Sequence, residues 1–137
     1  MPASANWALQ ESVYQALQSD GPLVSLLGGA KIYDRAPRDA ALPYVTFGQS
    51  VARDWSTGTE EGEEHILTLH IWSEQPGRKE TQEIIKALRD ALNNAALGVT
   101  NHHLINIRYE FSDTRRDPEG ETFHGIVRYR AVTEPVS

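Results

Sequence analysis

Apolar residues recur along this chain with two periods, and the switches between them divide it into helices and strands. Leu9, Val13, Ala16 and Leu17 lie three or four apart, which predicts a helix over 7–19 with Asn6 as its N-cap. Asp20-Gly21-Pro22 breaks it, and Leu23 to Leu27 forms at most a short second helix, closed by Gly28-Gly29. Ile32-Tyr33 has the length of a brief strand. Pro37 and Pro43 keep residues 34–42 extended, because a proline pushes its predecessor out of the helical region. Tyr44 opens a strand over 43–53, with Gly48 as a bulge or a point of close approach. A second strand covers 63–73. Leu67, Leu69 and Ile71 share one of its faces, and Ile66, Thr68, His70 and Trp72 the other. Both faces are largely apolar, so this is a central strand or one whose outer face meets a partner.

Glu74-Gln-Pro-Gly77 turns the chain into its one strongly amphipathic helix, 78–95, roughly 27 Å long at 1.5 Å per residue. Ile84, Ile85, Leu88, Ala91, Leu92 and Ala95 form its apolar stripe, while Lys79, Glu80, Glu83, Lys86, Arg89 and Asp90 face water. Two further strands follow. In 103–112, Ile105, Ile107, Tyr109 and Phe111 alternate with Asn106, Arg108 and Glu110; in 122–133, Phe123, Val127, Tyr129 and Ala131 alternate with His124, Arg128 and Arg130. A charged hairpin loop, 113–120, joins them. The predicted fold class is α+β, an antiparallel sheet of about four strands with two main helices on one face, ordered β-β-α-β-β after an N-terminal helical segment. One domain over 1–137 is the expectation at this length.

Composition narrows the classes. The chain has no cysteine, which removes disulfides and thiolate metal sites and suits a reducing compartment. No basic-then-apolar leader opens it, and no apolar run approaches the ~20 residues of a membrane span, so the expectation is a soluble protein made in the cytoplasm and no membrane partner. Nineteen acidic residues against 13 basic give a net charge of -6, which argues against a strong nucleic-acid binder and suits a surface that DNA slides past.

Candidate chemistry is thin. His65 and His70 are five apart on one strand and so lie on opposite faces; His102 and His103 diverge likewise, and His124 would have to meet one of them across the sheet. Solvated or partner-facing histidines are the ordinary outcome, and no metal site is expected. Glu60, Glu61, Glu63 and Glu64 lack calcium-loop spacing and read as a solvated tip of a mobile loop, 56–64. No serine sits in a nucleophile elbow, Gly28-Gly29-Ala30 lacks the phosphate-loop pattern, and Asp113, Asp117 and Glu119 flank Arg115-Arg116 closely enough to pair with them. No enzyme, catalytic residue or cofactor is predicted. Trp55, Trp72 and Tyr44 stand at loop bases or strand ends, where they either cap the core edge or anchor a subunit interface.

A series of short motifs carries a resemblance. Val13-Tyr14-Gln-Ala-Leu17, Val24-x-x-Leu27, Lys31-Ile-Tyr-Asp34 and Leu42-Pro-Tyr-Val-Thr-Phe-Gly48 come first. Leu67-Thr-Leu-His-Ile-Trp-Ser73, Gly77, Ile84-Ile85, Ala87-Leu88 and Ala91-Leu92 follow in order. In this order and spacing, over most of 9–98, the chain resembles the tail completion or tail terminator proteins of long-tailed bacteriophages and phage-like gene transfer agents. The resemblance implies a structural virion protein at the neck of the particle, with no catalytic residue. It implies a hexameric ring that caps the tail tube, ends its growth and joins tail to head. The implied partners are further copies of the chain, the major tail tube protein and the head–tail connector (stopper) protein, with DNA passing through the ring without specific binding. The alternative is a small monomeric adaptor or binding module. Trp55, Thr57, Glu60, Glu61, Trp72, Arg115 and Arg116 are the candidate subunit or tube contacts, because they mark the appendages of an otherwise compact sandwich.

Overall fold

The first helix begins earlier than its apolar spacing suggests. In the computed structural model, which describes residues 4–74, 78–117 and 122–136, α1 spans Ala5–Gln18 and its N-cap is Ser4, whose hydroxyl accepts from Trp7 N at 3.1 Å. Asn6, the expected cap, is inside the helix and turns its amide to Ser50 and His65. Asp20 caps α2 (Gly21–Leu27), and Gly28 ends it at φ 76°, a conformation that costs glycine nothing.

Among the described residues five strands follow: β1 (Ile32–Tyr33), β2 (Tyr44–Asp54), β3 (Glu63–Ser73), β4 (His102–Arg116) and β5 (Phe123–Pro135), with α3 (Arg78–Leu92) between β3 and β4. The α+β class stands as predicted, with one strand more than expected. Their order is β1-β2-β3-β5-β4, antiparallel except that the short β1 joins β2 in parallel. The expected turn at Gln75, Pro76 and Gly77 lies outside the described residues.

Helices α1, α2 and α3 pack on one face. Leu9, Val13 and Leu17 of α1, Leu23 and Leu27 of α2, and Ile84, Leu88 and Leu92 of α3 share a core with Val45, Leu67, Leu69, Ile71, Ile107, Val127, Tyr129 and Ala131. The interior of α3 is pinned at Thr81, whose hydroxyl meets that of Ser73 in a buried contact. Gly125 on β5 lets the helix come this close: a Cβ there would stand 2.8 Å from Thr81 Cγ2.

Two strands depart from simple alternation. Register shifts between Leu104 and Asn106 and between Tyr109 and Phe111 insert extra residues into β4. Each bulge reverses the face of everything beyond it. Ile105 is therefore extruded at 50% exposure, and Phe111 sits on the outer face opposite Arg128, 41% exposed, while Ile107 and Tyr109 stay inside. A third shift, between Phe47 and Ser50, brackets Gly48. The His70 imidazole occupies the space a Cβ of Gly48 would need, 2.3 Å from it.

Candidate functional site

The candidate residues separate into two groups at opposite ends of the sheet, about 30 Å apart along β3 at ~3.3 Å per residue. At one end is the β2–β3 loop. It is hydrogen-bonded within itself rather than open. Trp55 N donates to Gly62 O at 2.9 Å, Thr57 N to Glu60 O at 2.8 Å, and Thr57 Oγ1 accepts from Glu60 N at 3.0 Å. Ser56 donates to Asp54 Oδ1, and these hydrogen bonds hold the Asp54 carboxyl below its usual range. Glu60 and Glu61 are exposed and form no ion pair among the described residues.

Trp55 lies at the foot of this loop, 53% exposed, with the Arg130 guanidinium 4.9 Å from its ring centroid. Arg130 Nε donates to Glu64 Oε2 at 2.6 Å, and Arg53 Nε approaches Glu64 Oε1 at 3.2 Å. One carboxylate thus holds two guanidiniums and, through one of them, an exposed tryptophan.

At the other end, Trp72 stacks on His124 with ring centroids 4.0 Å apart and nearly parallel, and its Nε1 donates to Thr46 Oγ1 at 3.2 Å. It stands on the helix-free face, so it does not cap the main core. Arg115 Nε donates to Asp113 Oδ2 at 2.7 Å, the local pairing expected from the sequence. Arg116 is exposed at the last position of β4. Residues 113–116, expected in a loop, are strand, and Asp117 N donates to Thr122 O at 2.9 Å; residues 118 to 120 of that loop lie outside the described residues.

Three of the histidines depart from the solvated or partner-facing groups expected, while His103 is exposed. His65 is fully buried: its Nδ1 lies 3.0 Å from Asn6 Oδ1 and its Nε2 2.9 Å from Thr133 Oγ1. An Asn carbonyl only accepts, so Nδ1 carries the hydrogen and the threonine hydroxyl donates to Nε2. A neutral ring satisfies every partner. His70 and His124 do meet across the outer face, Nδ1 to Nε2 at 2.7 Å, a contact that requires one ring to donate and the other to accept. Among the described residues, no group of three or more His, Asp or Glu is arranged to hold a metal ion.

Burial lowers the pKa of His65, His70 and His124, with Glu63 at 3.8 Å opposing the effect at His65 and the charge of His70 adding to it at His124. The unfolded chain therefore takes up protons at a higher pH than the native one. Native stability is complete above the ordinary imidazole value of about 6.5 and falls as pH drops below it towards the depressed native values. Urea titrations at pH 7.5 and 5.5 are expected to give a lower midpoint at 5.5. His65→Gln, which keeps a donor and an acceptor, is expected to narrow that difference; an unchanged difference would rule His65 out as a source.

Several surface features have no simple sequence signal. Trp7 is 50% exposed on α1, and Phe111 reaches the outer face only through a bulge. Arg108 faces Arg130 directly across the β4–β5 ladder, and Arg128 is two residues from Arg130 on the same strand. A shallow hollow of about 460 Å³ beside the loop is lined by Asp54, Glu61, Glu63, His102 and Thr133 among others.

The profile of the family described as Tail completion protein gp17 matches residues 11–134. The chain belongs to that family. No curated protein matches it significantly in sequence. Among solved structures, this tail completion family member is similar to a chain in the virion of a native gene transfer agent particle. The two are 26% identical with a TM-score of 0.87, over 97% of this chain and 99% of that one. It is also similar in fold to the bacteriophage SPP1 gp17 protein, 23% identical with a TM-score of 0.62, over 93% of this chain and 89% of that one.

Proposed function

We propose that this tail completion family member is a structural, non-catalytic component at the neck of a phage-like particle. Six copies form a ring on the last ring of the tail tube, stop its growth and present a surface to the head connector. The observation that carries this reading is the likeness, over nearly the full length of both chains, to a chain of the gene transfer agent virion. The shape supports it. A sheet with loops at both ends and helices on one face has two separated contact regions, as a subunit between a tube and a connector requires. Contacts between different patches of identical subunits close into a ring when the rotation permits. The acidic surplus suits a lumen through which DNA passes without sticking.

Tail tubes lacking the protein supply the test. Added full-length chain is expected to cap one end of each tube as a six-fold ring by electron microscopy and to make the tubes competent for joining to heads. A particle reconstruction that places the chain away from the neck, or measured turnover of a substrate, would overturn the reading. A chain that binds the connector as a monomer would leave the adaptor alternative standing.

A further inference from the structure

Among the described residues, two sets of charges are left largely unmatched. On the helix-free face, Arg108, Arg128 and Arg130 cluster across β4 and β5, with Arg108 and Arg130 in direct cross-strand register, an arrangement of like charges that works against a ladder. Among the described residues only Arg130 of the three has a carboxylate partner, Glu64, which it shares with Arg53. Arg128 lies over the Phe111 ring at 4.9 Å, and its Nε is buried without a hydrogen-bond partner among the described residues. Glu110, two residues from Arg108, pairs with none of them. At the end of the same sheet, Glu60 and Glu61 project on a loop that its own hydrogen bonds hold in shape.

We infer that the arginine cluster on the outer face of β4–β5 is the socket for the acidic β2–β3 loop of a second copy of this chain. The inference rests on the ring proposed above and names which surfaces meet in it. The loop tip and the cluster adjoin, Trp55 at the foot of the loop lying against Arg130, but they are different residues, so each copy offers its acidic tip to the neighbour ahead and its arginines to the neighbour behind, a head-to-tail contact of the kind that closes a ring. Opposite charge brings the two together, and Phe111, with Arg128 over it, supplies an exposed aromatic and guanidinium of the kind that anchors interfaces. Nucleic acid is the less suitable occupant. Of the arginines of this cluster, Arg108 and Arg128 lack an acidic partner among the described residues, whereas DNA binding draws on many phosphate contacts.

Charge reversal separates these possibilities in particles assembled with each variant in place of the parent chain. Glu60→Lys with Glu61→Lys, and Arg108→Glu with Arg128→Glu, are each expected to cut the fraction of joined heads and tails at least about tenfold, the equivalent of 1.4 kcal/mol. The chain carrying all four changes is expected to recover to within about threefold of the parent, since each 0.65 kcal/mol regained is about a factor of three. A fourfold variant no better than either pair would overturn the socket. The loss caused by the glutamate reversals alone would still uphold the loop as an assembly contact. Arginine reversals that join like the parent would also overturn it, as would duplex DNA retarded by the parent chain at 150 mM salt and released by those reversals. If Arg128→Glu disturbs folding by circular dichroism, Arg108→Glu paired with Glu60→Lys carries the same test, because Arg108 is exposed. A chain absent from the particle altogether would strike the ring reading itself.

Discussion

A chain in which Ser56–Glu61 is replaced by Asn-Gly is expected to fold as well as the parent and to leave heads and tails unjoined. The β2–β3 ladder runs in register to Asp54 and Glu63, and Trp55 N donates to Gly62 O just beyond it. An Asn-Gly pair between Trp55 and Gly62 makes the two-residue turn that suits the twist of paired strands. Shortening the loop from six residues to two lowers its closure cost by about 1 kcal/mol, which offsets the exposed loop hydrogen bonds that are lost. Urea unfolding should therefore agree with the parent within about 1 kcal/mol. The functional loss is much larger, because the change removes Thr57, Glu60 and Glu61 from every copy at once. Each 1.4 kcal/mol lost at a contact is tenfold in affinity, and a ring repeats that loss at each junction, so joining should fall on the order of a hundredfold. Electron microscopy of particles made with the shortened chain reads the result directly. Normal joining would remove the loop from assembly.

The second large effect is one of stability. Gly125→Val is expected to destabilise the fold by about 3 kcal/mol, the upper part of the range for overfilling a packed core. Valine would ordinarily favour a strand, so the sign depends wholly on the neighbour across the layer. At this position a Cβ would already lie 2.8 Å from Thr81 Cγ2 and 3.4 Å from Ile71, before any γ-methyl is added. α3 cannot withdraw without separating the Thr81 and Ser73 hydroxyls, both of which are buried. The mechanism predicts a specific rescue. Gly125→Ala should cost about 1–3 kcal/mol, and Thr81→Ser, which removes the offending methyl and keeps the hydroxyl, should recover most of it. Thermal or urea unfolding of the four chains in that cycle measures the coupling; additive losses would show that the strain lies elsewhere.

Helix and strand identities were legible because each element buries one face and repeats its apolar residues at its own period. The spacing of Leu9, Val13 and Leu17, the stripe from Ile84 to Leu92, and the alternation in β3 and β5 all lead to buried faces. Family membership was legible for the same reason, since the recurring motifs are pieces of these elements in a fixed order. The candidate residues at the β2–β3 loop were visible as an acidic interruption between two apolar runs. What spacing could not convey was register. Nothing in the order of residues says that Trp72 lies opposite His124, that Arg108 faces Arg130, or that Thr81 closes on Gly125.

The bulges of β4 and the caps of α1 show why. An inserted residue leaves composition and overall alternation almost unchanged, yet it moves Phe111 from the core face to the outer one. Asn6 is an acceptable cap by type, but Ser4 takes that place and frees Asn6 to hold His65, 59 residues away in the chain. Local periodicity, a property of each segment's own side chains and the water they avoid, determined which elements form and which of their faces is apolar. Which side chains meet depends on contacts between segments far apart in the chain. Only the folded sheet, with its helices in place, decided those.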